Sequence, residues 1–200
     1  MSDYLTLYPN QVTRPLNDKK SPRNPTRILR PFEFELLLEA SKTEENQLRL
    51  EVALITGMRY QELRRFHGHP EWYDEYGNFV DLPYETKVYR GKRGRYIRLP
   101  NIAKEVIPRF FELKLKFPVE QTWRENLRRW ALKAGLDPIW LNSKTTRKTW
   151  ECWLVNAFPD RIVEILKSQG HTERTALEHY LGIPLSSEDL QMVKKWIDGW

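Results

Sequence analysis

The sequence predicts an α+β fold, mainly α-helical with one small antiparallel sheet near its middle. Three observations predict it. Apolar residues recur at helical spacing on both sides of residues 72–100. Inside that window the pattern changes to short alternating runs broken by turn residues such as Tyr76-Gly77-Asn78 and the stretch 91–94. Eight Trp, eight Phe and nine Tyr in 200 residues supply large side chains for one core of ordinary domain size.

In chain order, residues 1–30 carry Pro9, Pro15, Pro22 and Pro25 with little apolar periodicity, and are expected to form a basic, Pro-rich arm or linker. The folded domain is expected to run from 31 to 200. Pro31 suits the first turn of a helix, and Phe34, Leu37 and Leu38 follow at helical spacing. A second helix is expected from Glu44 to Thr56, where Leu48, Val52 and Ile55 share a face. Gly57 ends it, and Arg59 opens a short helix holding Glu62, Leu63 and Phe66. Strands are expected at Phe79–Leu82, Lys87–Tyr89 and Arg95–Leu99, with 91–94 as a basic hairpin turn. Helices follow over 101–116, 121–134, 143–157, 160–169, 172–181 and 186–198. The last is amphipathic and opens on the cap residue Ser186.

Charge narrows the partners. The net charge of +6 and pI near 9.4 suit a polyanion. Between residues 14 and 30, Arg14, Lys19, Lys20, Arg23, Arg27 and Arg30 face only Asp18. Arg90, Lys92, Arg93, Arg95 and Arg98 crowd a second stretch without an acid. The mean hydropathy is -0.68, and no apolar run approaches the roughly 18 residues of a membrane span. The N-terminus lacks the apolar core of a signal peptide, so the expectation is an intracellular, cytoplasmic protein without a membrane partner. Cys152 is the sole cysteine, which excludes an internal disulfide and a cysteine metal cluster. His67 and His69 lie near Asp74 but lack a firm third ligand, so no metal site is expected there.

Three stretches carry chemistry. In Thr56-Gly57-Met58-Arg59-Tyr60-Gln61-Glu62-Leu63, Arg59 and Glu62 stand three apart and can pair, the carboxylate holding the guanidinium fork for a phosphate. In Lys144-Thr145-Thr146-Arg147, both cations lie in line with the apolar stripe Trp150, Leu154 and Ala157, which points them into a cleft. Gly170-His171 precedes Tyr180 by nine residues; Gly170 can end one helix and Thr172 cap the next. One phenol, one imidazole and several cations around one point suit attack on a phosphodiester, whose transition state gathers negative charge.

Taken together, these stretches resemble the tyrosine recombinase (phage integrase) family over about residues 31–200. The stretch around Arg59 resembles its first-arginine motif, Gly91-Lys92 its hairpin lysine, Lys144–Arg147 its His/Lys-x-x-Arg box, and Gly170–Tyr180 the closing box with the nucleophile. The resemblance implies that fold and a catalytic set of Arg59, Lys92, Lys144, Arg147, His171 and Tyr180, with Glu62 supporting. Tyr180 would attack the scissile phosphate to give a 3′-phosphotyrosyl DNA and a free 5′-hydroxyl. Arg59, Arg147 and His171 would hold the non-bridging oxygens, and Lys92 would protonate the leaving 5′-oxygen. No cofactor is implied. Lys144 stands where most bacterial members have His; it can accept the phenol proton if its pKa is depressed, or act as an electrostatic donor. The family usually has a separate DNA-clamping domain, and here only the arm precedes the catalytic residues.

The implied partner is double-stranded DNA, bound by a homotetramer. Arg90, Arg93, Arg95, Lys19, Lys20, Arg23 and Arg27 are the expected DNA contacts. The tail helix from about 186 would pack on its own domain or dock on a neighbouring protomer. The Lys-x-x-Arg form hints at archaeal or viral mobile elements. The expected function is site-specific recombination as an integrase or excisionase; a topoisomerase IB-like nicking-closing enzyme and a non-catalytic DNA-binding protein are the alternatives.

Overall fold

Two helices of the chain begin in the same way, with a glutamate at the third helical position capping the backbone N–H just ahead of the helix. The computed structural model describes residues 16–17, 25–83, 94–113, 116–171 and 185–200. Glu33 in α1 (Pro31–Ser41) accepts from the Arg30 N–H at 2.8 Å, and Glu62 in α3 (Tyr60–Phe66) accepts from the Arg59 N–H at 2.8 Å. Between them, α2 (Glu44–Thr56) starts at Thr43, whose hydroxyl accepts from Asn46, and ends at Gly57 with φ 56°.

The core forms around α2 and α6 (Thr145–Ala157), which pack together, with α4 (Ala103–Glu112) against α2 and α5 (Glu120–Lys133) against α1. Trp150, Trp153 and Leu154 of α6 are fully buried, as are Leu50, Val52, Leu54 and Ile55 of α2. Beside this helical body lies a three-stranded antiparallel sheet in the order β3-β4-β5: Tyr73–Asp74, Phe79–Leu82 and Arg95–Arg98. Val80 pairs with Ile97 and Leu82 with Arg95. Arg95 is two residues from buried Ile97, so strand alternation puts it on the same inward face. That face meets α7 (Ile162–Gln169), which follows α6 through the 3₁₀ turn Pro159–Arg161.

The expected α+β architecture is present, with two differences within the described residues. Strand β3 was not anticipated. The helix expected over 101–116 stops at Glu112: Leu113 is already extended, at φ -77° and ψ 128°, and its carbonyl meets the His67 ring at 3.0 Å. The expected strand Lys87–Tyr89 and helix 172–181 lie outside the described residues.

The arm needs correction. Arg27–Ile28 is strand β2, paired with β1 (Leu16–Asn17), and Ile28 and Leu29 are fully buried. Leu29 donates to the Thr149 hydroxyl and accepts from the Trp153 indole, both at 3.0 Å. The Arg27 guanidinium, 2% exposed, pairs with Glu33 at 2.7 Å. Arg27 is therefore a structural ion-pair partner and not a DNA contact, and residues 25–30 belong to the folded domain. Deleting residues 1–30 should lower stability by at least about 3 kcal/mol relative to deleting 1–24, from Ile28 and Leu29 alone. Urea melts of the two truncations check this, and equal midpoints would place 25–30 outside the core.

Helix α8 (Ser187–Ile197) packs on its own domain, against α1 and α6. Ser186 and Asp189 cap each other's N–H groups, and Asp189 also pairs with Arg30. Glu35 accepts from the Trp196 indole at 2.9 Å and from Lys195 at 2.6 Å, while Trp196 meets Phe34 edge-on. Among the described residues no helix is long and apolar enough to cross a membrane.

Candidate active site

One carboxylate organises the first half of the site. Glu62 sits in the first turn of α3, where the helix dipole favours negative charge, and is 6% exposed. Its Oε2 takes the Arg59 backbone N–H, and its Oε1 takes the Arg59 guanidinium at 2.6 Å. From β5, Arg95 closes on the same carboxylate as a fork, with Nη1 at 3.0 Å from Oε1 and Nη2 at 2.8 Å from Oε2. Burial alone would favour the protonated acid, but the hydrogen bonds and charge of Arg95, then of Arg59, hold Glu62 well below the usual carboxylate range. Arg95 is 8% exposed while Arg59 is 35% exposed, so Arg59 keeps a face open to a ligand.

Arg147 and His171 form the second half. Arg147, one turn into α6, is 5% exposed; its Nη1 donates to the Gly57 carbonyl at 2.6 Å, and its Nη2 to the Gln169 carbonyl and to His171 Nε2, the latter at 2.8 Å. On its far side, His171 Nδ1 lies 2.6 Å from Oε1 of Glu151, a carboxylate with no exposure. Burial, with Arg59 next, lowers the Arg147 pKa to about 10.

The end of α7 joins the halves. Gly170, at φ 66°, closes the helix so that the His171 N–H returns to Leu166 and the Gly170 N–H to Lys167. The two carbonyls just before this turn take the two guanidiniums: Ser168 accepts from Arg95 Nε at 3.0 Å, and Gln169 from Arg147. Gly57 is needed for its positive φ of 56°, which side chains with a Cβ rarely adopt. In the described part of the site, the guanidiniums of Arg59, Arg95 and Arg147 outnumber the carboxylates of Glu62 and Glu151, which suits an anion.

Solved structures share this architecture. The XerH site-specific recombinase bound to its difH substrate, in a pre-cleavage complex, superposes with a TM-score of 0.50 at 17% identity, over 76% of this chain and 49% of that one. A post-cleavage complex of XerH with palindromic difH gives 0.53 at 16% identity, over 92% and 56%. The fold is similar to that of tyrosine recombinase catalytic domains. The chain spans about half the length of these XerH structures. No family sequence profile matches the chain, and no curated protein does.

Within this fold, Arg59 meets Glu62, and Arg147 meets His171, with the charge of Arg59 felt at Arg147. Lys144 does not follow Arg147 inward: it is the exposed residue ahead of α6, its N–H held by the Asn142 side chain at 2.8 Å. Arg95, expected on DNA, is corrected to a buried partner of Glu62. Lys92, Tyr180, Arg90, Arg93, Lys19, Lys20 and Arg23 lie outside the described residues. The sequence reading missed Glu151, although its place four residues after Arg147 on the stripe of Trp150 and Leu154 marks it as inward-facing. His67 packs on Phe110 and Phe117, and His69 stacks on Trp72, so they face separate partners.

The Glu62 hub makes a pH-dependent contribution to stability. A carboxyl whose pKa is depressed on folding stabilises fully above its unfolded value near 4.5, and that stabilisation is lost as pH falls toward the lower folded value. Glu62→Gln should cost about 3 kcal/mol at neutral pH, because Arg95 loses its counter-charge in a buried setting. The gap between wild type and variant should then narrow steadily below pH 4.5. Thermal melts across that range check it, and a gap independent of pH would mean that the carboxylate charge contributes nothing.

Proposed function

We propose that the chain is a tyrosine-type site-specific DNA recombinase, which cuts and rejoins strands of double-stranded DNA through a 3′-phosphotyrosyl intermediate. The observation that carries this reading is the gathering of Arg59, Arg147 and His171 at the end of α7, braced by buried carboxylates, on a fold shared with a DNA recombinase. Guanidiniums fixed before substrate arrives stabilise charge building on a phosphate without reorganising at the moment of reaction. In this reading Arg59, with its open face, meets one non-bridging oxygen, and Arg147 meets the other. Tyr180 is the nucleophile, Lys92 delivers a proton to the leaving 5′-oxygen, and a homotetramer assembles on the DNA.

A nicked suicide duplex, whose cleaved end diffuses away, tests the chemistry. A covalent protein–DNA adduct is expected, and its absence across duplexes of varied sequence would leave a DNA-binding protein. Recombinant products set against relaxed plasmid then separate recombinase from a topoisomerase-like enzyme.

A duplex with a 5′-bridging sulfur assigns the proton donor. A thiolate leaves without protonation, so Lys92→Ala should be slow on normal DNA and recover on the sulfur substrate by about 10²-fold. Lys144→Ala should show no such recovery. Recovery of Lys144→Ala instead would transfer the acid role to Lys144.

A further inference from the structure

Glu151 is the buried ionisable group that the reading above leaves without a task. It is fully buried in α6, beside Cys152, whose thiol is pushed up to about 12 by burial and then by the Glu151 charge. A carboxylate in such a place is costly unless something pairs with it. Its charge meets Arg147, one turn away on the same helix, and its Oε1 meets His171 Nδ1 at 2.6 Å.

The row Glu151–His171–Arg147 fixes the imidazole hydrogen. Arginine has only donors, so Arg147 Nη2 must give its hydrogen to His171 Nε2. Nε2 therefore carries a lone pair, the ring hydrogen sits on Nδ1, and Nδ1 donates to the Glu151 carboxylate. A histidine in this form cannot donate from Nε2 to a phosphate oxygen; it can only accept there.

We infer that Glu151 is a positioning residue that holds His171 with its hydrogen on Nδ1 and so makes Nε2 the proton acceptor for the nucleophile. This rests on the strand-transfer reading above. A phosphate oxygen that draws the Nη2 hydrogen away from His171 frees Nε2, while the other Arg147 donors stay on the Gly57 and Gln169 carbonyls. The Tyr180 O–H bond breaks and its proton moves to Nε2; the phenolate oxygen bonds to phosphorus; the bond from phosphorus to the 5′-oxygen breaks, and that oxygen takes a proton from Lys92. The carboxylate of Glu151 balances the imidazolium while it exists. Rejoining runs the same transfers in reverse. This assignment relieves Lys144, exposed ahead of α6, of the base role that its motif position implied.

Two measurements test it. In the intact chain near neutral pH, the ¹⁵N resonances of the His171 ring, assigned by comparison with His171→Gln, should show a protonated Nδ1 and a bare Nε2. The opposite tautomer overturns the inference whether or not the protein cuts DNA. On a suicide duplex at saturation, Glu151→Gln should slow adduct formation by about 10²-fold or more. A more acidic fluorotyrosine at position 180 should recover part of that loss, because its phenol needs less help from a base. An undiminished rate in Glu151→Gln overturns the inference, as does a loss that fluorotyrosine leaves untouched, which makes Glu151 a structural counter-charge alone. If wild type forms no adduct, the strand-transfer reading fails, while the tautomer result still decides what Glu151 does to His171.

Discussion

Tyr180→Phe is expected to bind duplex DNA as wild type does and to form no covalent adduct at all. The substitution removes one oxygen, the atom that would bond to phosphorus, and keeps the ring. Without that oxygen the bond to phosphorus has no partner atom, so the effect is a loss to the detection limit, of about 10⁴-fold or more. Three other tyrosines lie near the motif residues in sequence, at 60, 89 and 96. Tyr60 donates to the Pro118 carbonyl at 2.7 Å, stacks on Trp123 and has its pKa raised to about 12 by burial, which makes it a poor nucleophile. Tyr96 is 65% exposed on the outer face of β5. Peptide mapping of a trapped adduct checks the assignment: label on Tyr96 or Tyr89 sinks Tyr180, and label on Tyr180 establishes it.

Arg59→Ala and Arg147→Ala should each cut the cleavage rate on saturating DNA by about 10²-fold or more, since a charge-assisted contact made mainly in the transition state is worth a few kcal/mol. Their effects on the fold should differ. Glu62 keeps the Arg95 fork when Arg59 is removed, so Arg59→Ala should melt near wild type. Removing Arg147 strips the buried carbonyls of Gly57 and Gln169, and Nε2 of His171, of their shared donor. That should cost about 3 kcal/mol or more of stability. Single-turnover rates beside thermal melts separate the two, and a cleavage rate within about threefold of wild type for either would remove that arginine from the phosphate.

Residues with a short-range signature were legible in the sequence. Gly57 and Gly170 end helices, Glu62 follows Arg59 by three, and Arg147 lies on an apolar stripe; each fact is local, and the structure gathers these residues. What escaped was burial imposed from a distance. Arg27 and Arg95 sit in basic runs that read as solvated or DNA-facing. Glu33 and Glu62 draw them inward because a buried helix-capping carboxylate needs a counter-charge from another element. For Arg95 a cue existed: it alternates with Ile97 and Leu99, which puts it on the inward face of its strand. Glu151 had a similar cue, on the inward stripe of α6, but its partner His171 lies twenty residues on and across a helix end. Lys144 was misjudged because helical phase was carried one residue past the point where α6 begins.

The adjacent carbonyls of Ser168 and Gln169 have a thermodynamic consequence. Each long guanidinium side chain surrenders up to about 2 kcal/mol of rotamer entropy when it is held in one place. Here the rigid end of a helix holds Arg95 and Arg147 before any ligand arrives. That cost is met by the folding equilibrium and not by the binding one. An incoming phosphate would find Arg147 already ordered and Arg59 held on a carboxylate that Arg95 has itself fixed, so its affinity would carry little penalty for arranging them.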